Sequence, residues 1–210
     1  MAEVGGAKAG GSTAGAGNAR HGTGIKARGE VVVLRYGHRA VRDYRVTSHC
    51  CLVARAFGAD KIIIAGEADP VIKERINAIS AKWGGKFKVE FTESWKDTLR
   101  AHQKKGFYAV HTTMYGLGLQ DEAEELRKAK KLLVIIGSQK VERVVYEMAD
   151  LNVAVTSQPH SEIASLAVLL HEYFSGKELG FAFNGAKTRI VPDAHGKNIV
   201  NNTGRGKHEK

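Results

Sequence analysis

The sequence predicts an α/β fold built on a mostly parallel six-stranded sheet that is flanked by helices. Two observations predict it. Short apolar runs alternate with segments of helical pattern along the middle of the chain. Several of the runs are continuous and β-branched, which is typical of strands buried on both faces. Strands that alternate with helices need crossover connections, and these produce a parallel sheet.

Six apolar runs are the strand candidates, in an order that alternates with the helices. The candidates are Val31–Tyr36, Lys61–Ala65, Lys86–Phe91, Phe107–His111, Leu132–Ile136 and Leu151–Val155. A final pair of segments, Phe181–Val191 and Lys197–Val200, surrounds a turn at Asp193–Gly196 and predicts a small C-terminal hairpin.

The first two helices carry boundary signals. Thr47 can serve as the N-cap of the first helix, and Gly58 can end it. Asp69 and Pro70 open the second helix, which ends near Trp83. Further helical segments are Ser94–Lys104, Asp121–Lys130, Glu142–Ala149 and Ser161–Phe174.

The chain ends differ from this domain, which we assign to residues 30–200. Nine of residues 1–29 are glycine, and the large aliphatic residues there are Val4 and Ile25. Such a segment buries too little apolar surface to offset chain entropy, so we expect a disordered basic extension. Residues 201–210 form a polar tail.

Charge indicates a polyanionic partner. The formal net charge is +10, and residues 30–200 retain +5 of it. Nucleic acid is the commonest partner of such a domain. No apolar run approaches the roughly 18 residues of a membrane helix, the N-terminus shows no signal-peptide pattern, and Cys50 and Cys51 are adjacent. We expect a cytoplasmic protein without a disulfide framework.

Ligands of open α/β sheets bind beyond the carboxyl ends of the strands. Three segments rich in small and polar residues follow strands four to six: Thr112–Gly118, Gly137–Val141 and Thr156–Glu162. Each alone is ordinary turn chemistry, but three at successive strand ends indicate a ligand site. The glycine fingerprint of dinucleotide folds, the phosphate loop, the nucleophile elbow and zinc ligand spacing are absent from the sequence. We expect no metal, and Ser161 is expected to cap its helix.

The segment Arg35–His49 follows the first strand and holds four arginines and two histidines. Arginine binds phosphates through paired hydrogen bonds. We therefore favour an RNA-facing role over a solvated charged loop. Tyr36 and Tyr44 could stack on bases, although packing in the core or a loop is the simpler role.

Several of these segments, in this order, resemble the archaeal tRNA cytidine-56 2′-O-methyltransferases of the SPOUT (α/β-knot) superfamily. The matching motifs lie in Arg35–His49, Ala54–Ala65, His111–Gly116, Gly137–Val141 and Gln158–Ala164. The resemblance extends from about Val31 to Val200 and excludes the N-terminal extension.

The resemblance implies a C-terminal trefoil knot, a homodimer, a tRNA substrate and S-adenosylmethionine as cofactor. It places the cofactor against Thr113, Met114, Tyr115, Gly116, Gly137, Ser138, Gln139, Lys140, Val141, Val155, Thr156, Ser157, Gln158, Pro159, His160, Ser161 and Glu162. Related ribose methyltransferases carry an arginine on the first helix where this chain has Leu52. The catalytic candidates are therefore Arg35, Arg39, Arg42, Arg45 and His49.

Two other functions compete with methyl transfer. A non-enzymatic RNA-binding module would bind RNA but not S-adenosylmethionine. A nucleotide-dependent α/β oxidoreductase is the less favoured alternative, because the glycine fingerprint is missing.

Overall fold

The computed structural model describes residues 29–137 and 141–202. The strands are β1 (Glu30–His38), β2 (Lys61–Gly66), β3 (Lys88–Thr92), β4 (Tyr108–Gly118), β5 (Lys131–Ile136) and β6 (Leu151–Ala154), followed by β7 (Thr188–Val191) and β8 (Asn198–Asn201). The helices are α1 (Ala40–Ala56), α2 (Pro70–Trp83), α3 (Trp95–Lys104), α4 (Leu119–Lys128), α5 (Arg143–Met148) and α6 (Glu162–Phe174). A short 3₁₀ helix follows at Lys177–Gly180.

The first six strands form one sheet in the order β3-β2-β1-β5-β4-β6, and all of its neighbouring strands are parallel. The α/β prediction and the six strands are therefore confirmed. The strand order changes direction at β1, because the chain first builds outward through β2 and β3 and then returns to the other side with β4, β5 and β6. β7 and β8 pair as the predicted antiparallel hairpin, but β7 begins at Thr188, seven residues after the predicted start at Phe181.

Both faces of the sheet are buried. Alternate residues of β1 point to opposite sides: Val31 and Val33 join one core cluster, while Val32 and Leu34 join the other. The larger cluster packs under α1, α2, α4 and α6, and the smaller one packs under α3 and α5. The continuous apolar runs in the sequence follow directly from this burial.

The prediction that α1 begins at Thr47 is wrong. The helix begins at Ala40, with Arg39 as the N-cap residue, and Thr47 lies buried inside it. Its hydroxyl is 2.9 Å from Nδ1 of His38, so a side-chain partner in β1 accounts for this threonine. The end of the helix agrees with the prediction, since Gly58 follows the C-cap residue with a φ of 87°.

β4 is longer than predicted, because it continues through Thr112–Gly118, where the sequence pattern indicates a loop. Its pairing with β6 is interrupted there: both Thr112 and Leu117 lie opposite Val153. The four residues between them are therefore excluded from the β-ladder.

Other boundaries agree with the sequence. Asp69, Ser94 and Ser161 each cap the following helix by accepting a backbone N–H bond. Among the described residues, no helix is both long and apolar enough to cross a bilayer. The predictions for the extension before Gly29 and for the tail after residue 202 concern residues outside the described part of the chain.

Candidate functional site

The three predicted ligand segments come together at the carboxyl edge of the sheet. β5, β4 and β6 are consecutive neighbours in the sheet, so the residues that follow them lie side by side. β1 is the neighbour of β5, and its carboxyl end brings the arginine-rich segment to the same edge. Ser138, Gln139 and Lys140 are outside the described residues; the remaining candidates can be placed.

The interrupted part of β4 forms one wall of this edge. Gly116 lies against the backbone of β6: a Cβ atom there would be 2.5 Å from the carbonyl oxygen of Asn152. Only glycine permits that approach, and the backbone of residues 113–116 is left outside the ladder. Tyr115 is 75% exposed beside it. The N–H of Tyr115 donates to the hydroxyl of Thr113 at 3.4 Å, and residues 113–116 have no register partner in the ladder between β4 and β6.

A series of hydrogen bonds connects the interrupted part of β4 to β6 and α5. His111 is buried in β4, and its Nδ1 is 2.9 Å from Oδ1 of Asn152. Asn152 in turn donates to the carbonyl of Tyr146, whose hydroxyl is 3.2 Å from that of Thr113. Burial lowers the pKa of His111, against the opposing effect of its hydrogen bond with Asn152. The neutral imidazole thus connects β4, α5 and β6 beneath the wall.

The second wall is the segment between β6 and α6. Thr156 to Ser161 are exposed, and Val155 is half-buried. Ser161 accepts a hydrogen bond from the N–H of Ala164 and so begins α6. The N-terminus of this helix favours polar or anionic groups. On the remaining side, Gly137 lies so close to the side chain of Val141 that a Cβ would overlap it.

Arg35 lies inside the protein, below these segments, rather than at its surface. Its side chain is 1% exposed, and its guanidinium donates to Oε1 of Glu162 at 3.1 Å and to the carbonyl of Tyr36. The Nε of Arg35 has no hydrogen-bond partner among the described residues. Arg35 therefore joins the end of β1 to the first turn of α6 and does not face solvent.

The other basic candidates lie on α1. Arg39 is half-exposed and forms an ion pair with Asp43 at 3.3 Å. Burial alone would raise the pKa of Asp43, but the backbone N–H and guanidinium of Arg39 outweigh it and lower the pKa. Arg42, Arg45 and His49 are exposed, and their spacing of three and four residues places them on one face of the helix. These three side chains are accessible to solvent, whereas Leu52 packs partly against the core.

The two tyrosines of the Arg35–His49 segment, Tyr36 and Tyr44, pack against other side chains of the protein. Tyr36 is buried, meets the ring of Trp95 edge-to-face at 5.3 Å and donates to Glu142 at 3.0 Å. The pKa of Tyr36 is raised by burial and by this carboxylate. Tyr44 is half-buried against the larger core cluster. The simpler packing role therefore holds for both in this structure.

Several residues that shape the site were not among the candidates from the sequence. His38 is buried at the end of β1, and its pKa is lowered by burial and by Arg35. Glu67 follows β2 and accepts from the N–H of Ala40 at 2.7 Å, which caps α1. Asn152 was detectable only as a polar residue in an otherwise apolar strand. The distant partners of these residues are not visible from local spacing.

The adjacent cysteines play no part at this edge. Both are fully buried free thiols in α1. Burial raises the pKa of Cys50 to about 12, and the pKa of Cys51 is raised further by burial and by Cys50. Neither thiol is therefore activated as a nucleophile.

The family model and the relatives at 46% and 49% identity that match this chain are all tRNA ribose 2′-O-methyltransferases. The family model described as "tRNA ribose 2'-O-methyltransferase, aTrm56" matches residues 83–200. The chain is 49% identical over 174 residues to the tRNA (cytidine(56)-2'-O)-methyltransferase of Thermococcus kodakarensis, covering 81% of this chain and 96% of that protein. It is 46% identical over 169 residues to the protein of that name from Nitrosopumilus maritimus, covering 80% and 95%.

Solved structures share the fold at low identity. The SpoU methyltransferase AviRb from Streptomyces viridochromogenes, in complex with AdoMet, superposes with a TM-score of 0.53 at 13% identity, over 73% of this chain and 60% of that one. The TrmH/SpoU tRNA modifying enzyme of A. aeolicus gives a TM-score of 0.52 at 13% identity, over 72% and 78%. This chain thus spans about 60% of AviRb, and the likeness extends to the fold alone.

Proposed function

Because this chain belongs to the tRNA ribose 2′-O-methyltransferase family, we propose that it methylates the ribose 2′-oxygen of cytidine 56 in the T-loop of tRNA. The relatives that carry this name match nearly their whole length. In this chain, the observation that carries the proposal is the meeting of three ligand segments beside the arginine-bearing helix α1 at one edge of the sheet.

The cofactor of this reaction is S-adenosylmethionine, whose sulfonium group supplies an activated methyl group. The residues present fit such a ligand. The backbone of residues 113–116 outside the ladder, the close approach at Gly116 and the exposed segment before α6 together offer polar backbone groups around an open edge. We assign cofactor binding to Thr113–Gly116, to Gly137 and Val141 with the residues between them, and to Val155–Glu162.

The substrate side belongs to α1. Methyl transfer to a hydroxyl is an in-line displacement that needs positioning and removal of one proton. Arg39, Arg42 and Arg45 would hold phosphate and ribose and stabilise the developing oxyanion. His49 is exposed on the same face, and imidazole is the side chain that most often acts as a general base. Guanidinium is too basic for that role.

Arg35 acts differently in this proposal. Since it is buried and bonded to Glu162, we assign it to positioning: it holds the first turn of α6, and with it the segment that would contact the cofactor. Its side chain does not reach the solvent from which RNA approaches.

We also propose, from family membership, that the protein is a cytoplasmic homodimer with a C-terminal trefoil knot. In SPOUT enzymes the active site draws on both subunits, so a complete site in this chain would include residues of a second copy. The measured oligomeric state tests this part independently.

Calorimetry with S-adenosylmethionine tests the cofactor assignment. The proposal predicts saturable binding; its absence would leave a non-enzymatic RNA-binding module, and binding of a nicotinamide cofactor instead would favour an oxidoreductase.

Arg45→Ala tests the substrate assignment. It should lower turnover at least about tenfold while leaving the affinity for S-adenosylmethionine within about twofold, because Arg45 is placed on the substrate and not on the cofactor. Arg75→Ala, an exposed change in α2, is the control and should leave both unchanged. Equal loss of cofactor binding in Arg45→Ala would contradict the assignment.

A further inference from the structure

The opposite end of the sheet carries a concentration of lysines. We call the amino ends of strands β1 to β5, with the residues that immediately precede them, the amino edge. Lys61, Lys88 and Lys131 are the first residues of β2, β3 and β5. Lys61 lies directly opposite Lys88 in the sheet, and Lys131 lies opposite Glu30 of β1. Lys61 and Lys88 are therefore direct neighbours, and Lys131 lies at the same end of the sheet on the other side of β1.

Two cavities open along this edge. One, of about 410 Å³, lies at the amino ends of β4 and β5 and is lined by Lys105, Lys128, Lys130 and Lys131, with Glu125 as its carboxylate. The other, of about 440 Å³, lies at the amino ends of β1 to β3 and is lined by Arg55, Lys61, Lys86 and Lys88, with Glu30 and Asp60. Eight basic side chains thus face three acidic ones.

The lysines are accessible to a ligand. Lys86, Lys88, Lys105, Lys128, Lys130 and Lys131 are exposed. Lys128 pairs with Glu125 at 2.6 Å, and Lys61 pairs with Glu90 at 3.3 Å. Surface pairs of this kind contribute little to stability, so they can exchange for contacts with phosphate at little cost.

The N-terminal extension adds positive charge to the chain that leads into this edge. The described chain begins at Gly29, which lies against the carbonyl of Lys130. Residues 1–28 contain Lys8, Arg20, Lys26 and Arg28 against Glu3. The lysines of the amino edge repel one another, and a bound polyanion relieves that repulsion.

We propose that the amino edge is a second RNA-binding surface, which contacts the phosphate backbone of the substrate tRNA outside the T-loop. The inference rests on the proposed function for the identity of its RNA. The two edges are separated by the length of a strand: the six residues of β5 span about 20 Å. Double-stranded-RNA-binding domains span about 16 base pairs, a length of RNA greater than this distance.

The test uses two charge-reversal variants at the amino edge, Lys105→Glu with Lys130→Glu and Lys86→Glu with Lys88→Glu, one in each cavity. The control, Arg75→Glu with Arg100→Glu, makes the same charge change on the exposed faces of α2 and α3. Affinities for an unmodified tRNA transcript and for a hairpin of its T-arm alone are measured over a salt series, without cofactor.

Both amino-edge variants should bind the full tRNA about tenfold or more weakly than the wild type. Their affinity should also depend less steeply on salt, because removal of one phosphate contact lowers the salt slope by about one unit. Binding of the T-arm hairpin and of S-adenosylmethionine should stay within about twofold of the wild type, and the control should behave like the wild type throughout.

Two results would overturn the inference: full-tRNA binding equal to the wild type in both variants, or an equal loss for tRNA and hairpin, which would place the T-arm itself on this edge. Failure of the proposed function has a different outcome. The wild type would then bind tRNA without methylating it, and the effect of the amino-edge variants on binding would still be measured.

Discussion

At the scale of single residues, the charged side chain of Arg35 is buried. Its carboxylate partner Glu162 is 127 residues away in the sequence, so no local pattern could show that this arginine is buried. The other basic residues of the segment, from Arg42 onward, follow ordinary helical spacing, and their exposure was predictable once the helix was placed. The functional segment was therefore recognisable from the sequence, but the division of roles within it was not.

Glu162→Ala should destabilise the fold. The change leaves the guanidinium of Arg35 buried without its carboxylate, and we expect a loss of about 2–3 kcal/mol of unfolding free energy. Chemical denaturation measures it. The control is Glu147→Ala, which breaks an ion pair with Arg143 whose side chains are 56% and 91% exposed and should cost well under about 1 kcal/mol. Similar costs for the two variants would refute the structural role of the Arg35 pair.

The contact between Thr113 and Tyr146 should couple α5 to the cofactor wall. Thr113→Val and Tyr146→Phe each remove the same 3.2 Å hydroxyl contact, so each should weaken binding of S-adenosylmethionine several-fold. Thr113→Val also removes the acceptor of the Tyr115 N–H. The double variant should therefore be little worse than Thr113→Val alone, because that change has already abolished the contact that Tyr146→Phe removes. Calorimetry on the four proteins measures the coupling. Strictly additive effects would show that the two hydroxyls act independently.

At the scale of elements, the strands were predictable because burial on both faces imposes continuous apolar runs, as in Val31–Leu34. Two boundaries, the start of α1 and the end of β4, were not predictable from the sequence. α1 begins seven residues before Thr47 because carboxylates from Asp43 and from Glu67, beyond β2, satisfy its first N–H groups. β4 extends past His111 because its partner β6, a distant segment of the chain, pairs with it twice at Val153. Glu67 and β6 are both distant in the sequence from the boundaries that they help to set, so local patterns could not predict these two boundaries.

Glu67→Ala should test how α1 is held. The side chain caps Ala40 from the neighbouring strand end, so its removal should cost about 1 kcal/mol of unfolding free energy. It should also lower turnover, because the same turn begins the helix that carries Arg42 and Arg45. Denaturation and steady-state methylation assays measure the two effects. Glu74→Ala, on the exposed face of α2, is the control; unchanged stability and turnover in Glu67→Ala would exclude the cap.

At the scale of the whole molecule, the parallel sheet separates the two edges to which we assign binding. The carboxyl edge gathers the three ligand segments and the arginine-bearing helix, while the amino edge gathers lysines around two cavities. Topology explains the first edge, because β5, β4 and β6 are neighbours in the sheet although they are not in sequence order. The general rule for open α/β sheets predicted the carboxyl edge as a ligand site. The amino edge could not be predicted from the sequence, because the strand register brings Lys61 and Lys88 together.

The most direct test of the proposed activity is methylation of an unmodified tRNA transcript with labelled S-adenosylmethionine, followed by mapping of the modified nucleotide. We predict a single methyl group on each tRNA, on the ribose 2′-oxygen of cytidine 56, and none on a transcript that carries a 2′-deoxycytidine at that position. A methyl group on a base, or on a ribose outside the T-loop, would contradict the proposal.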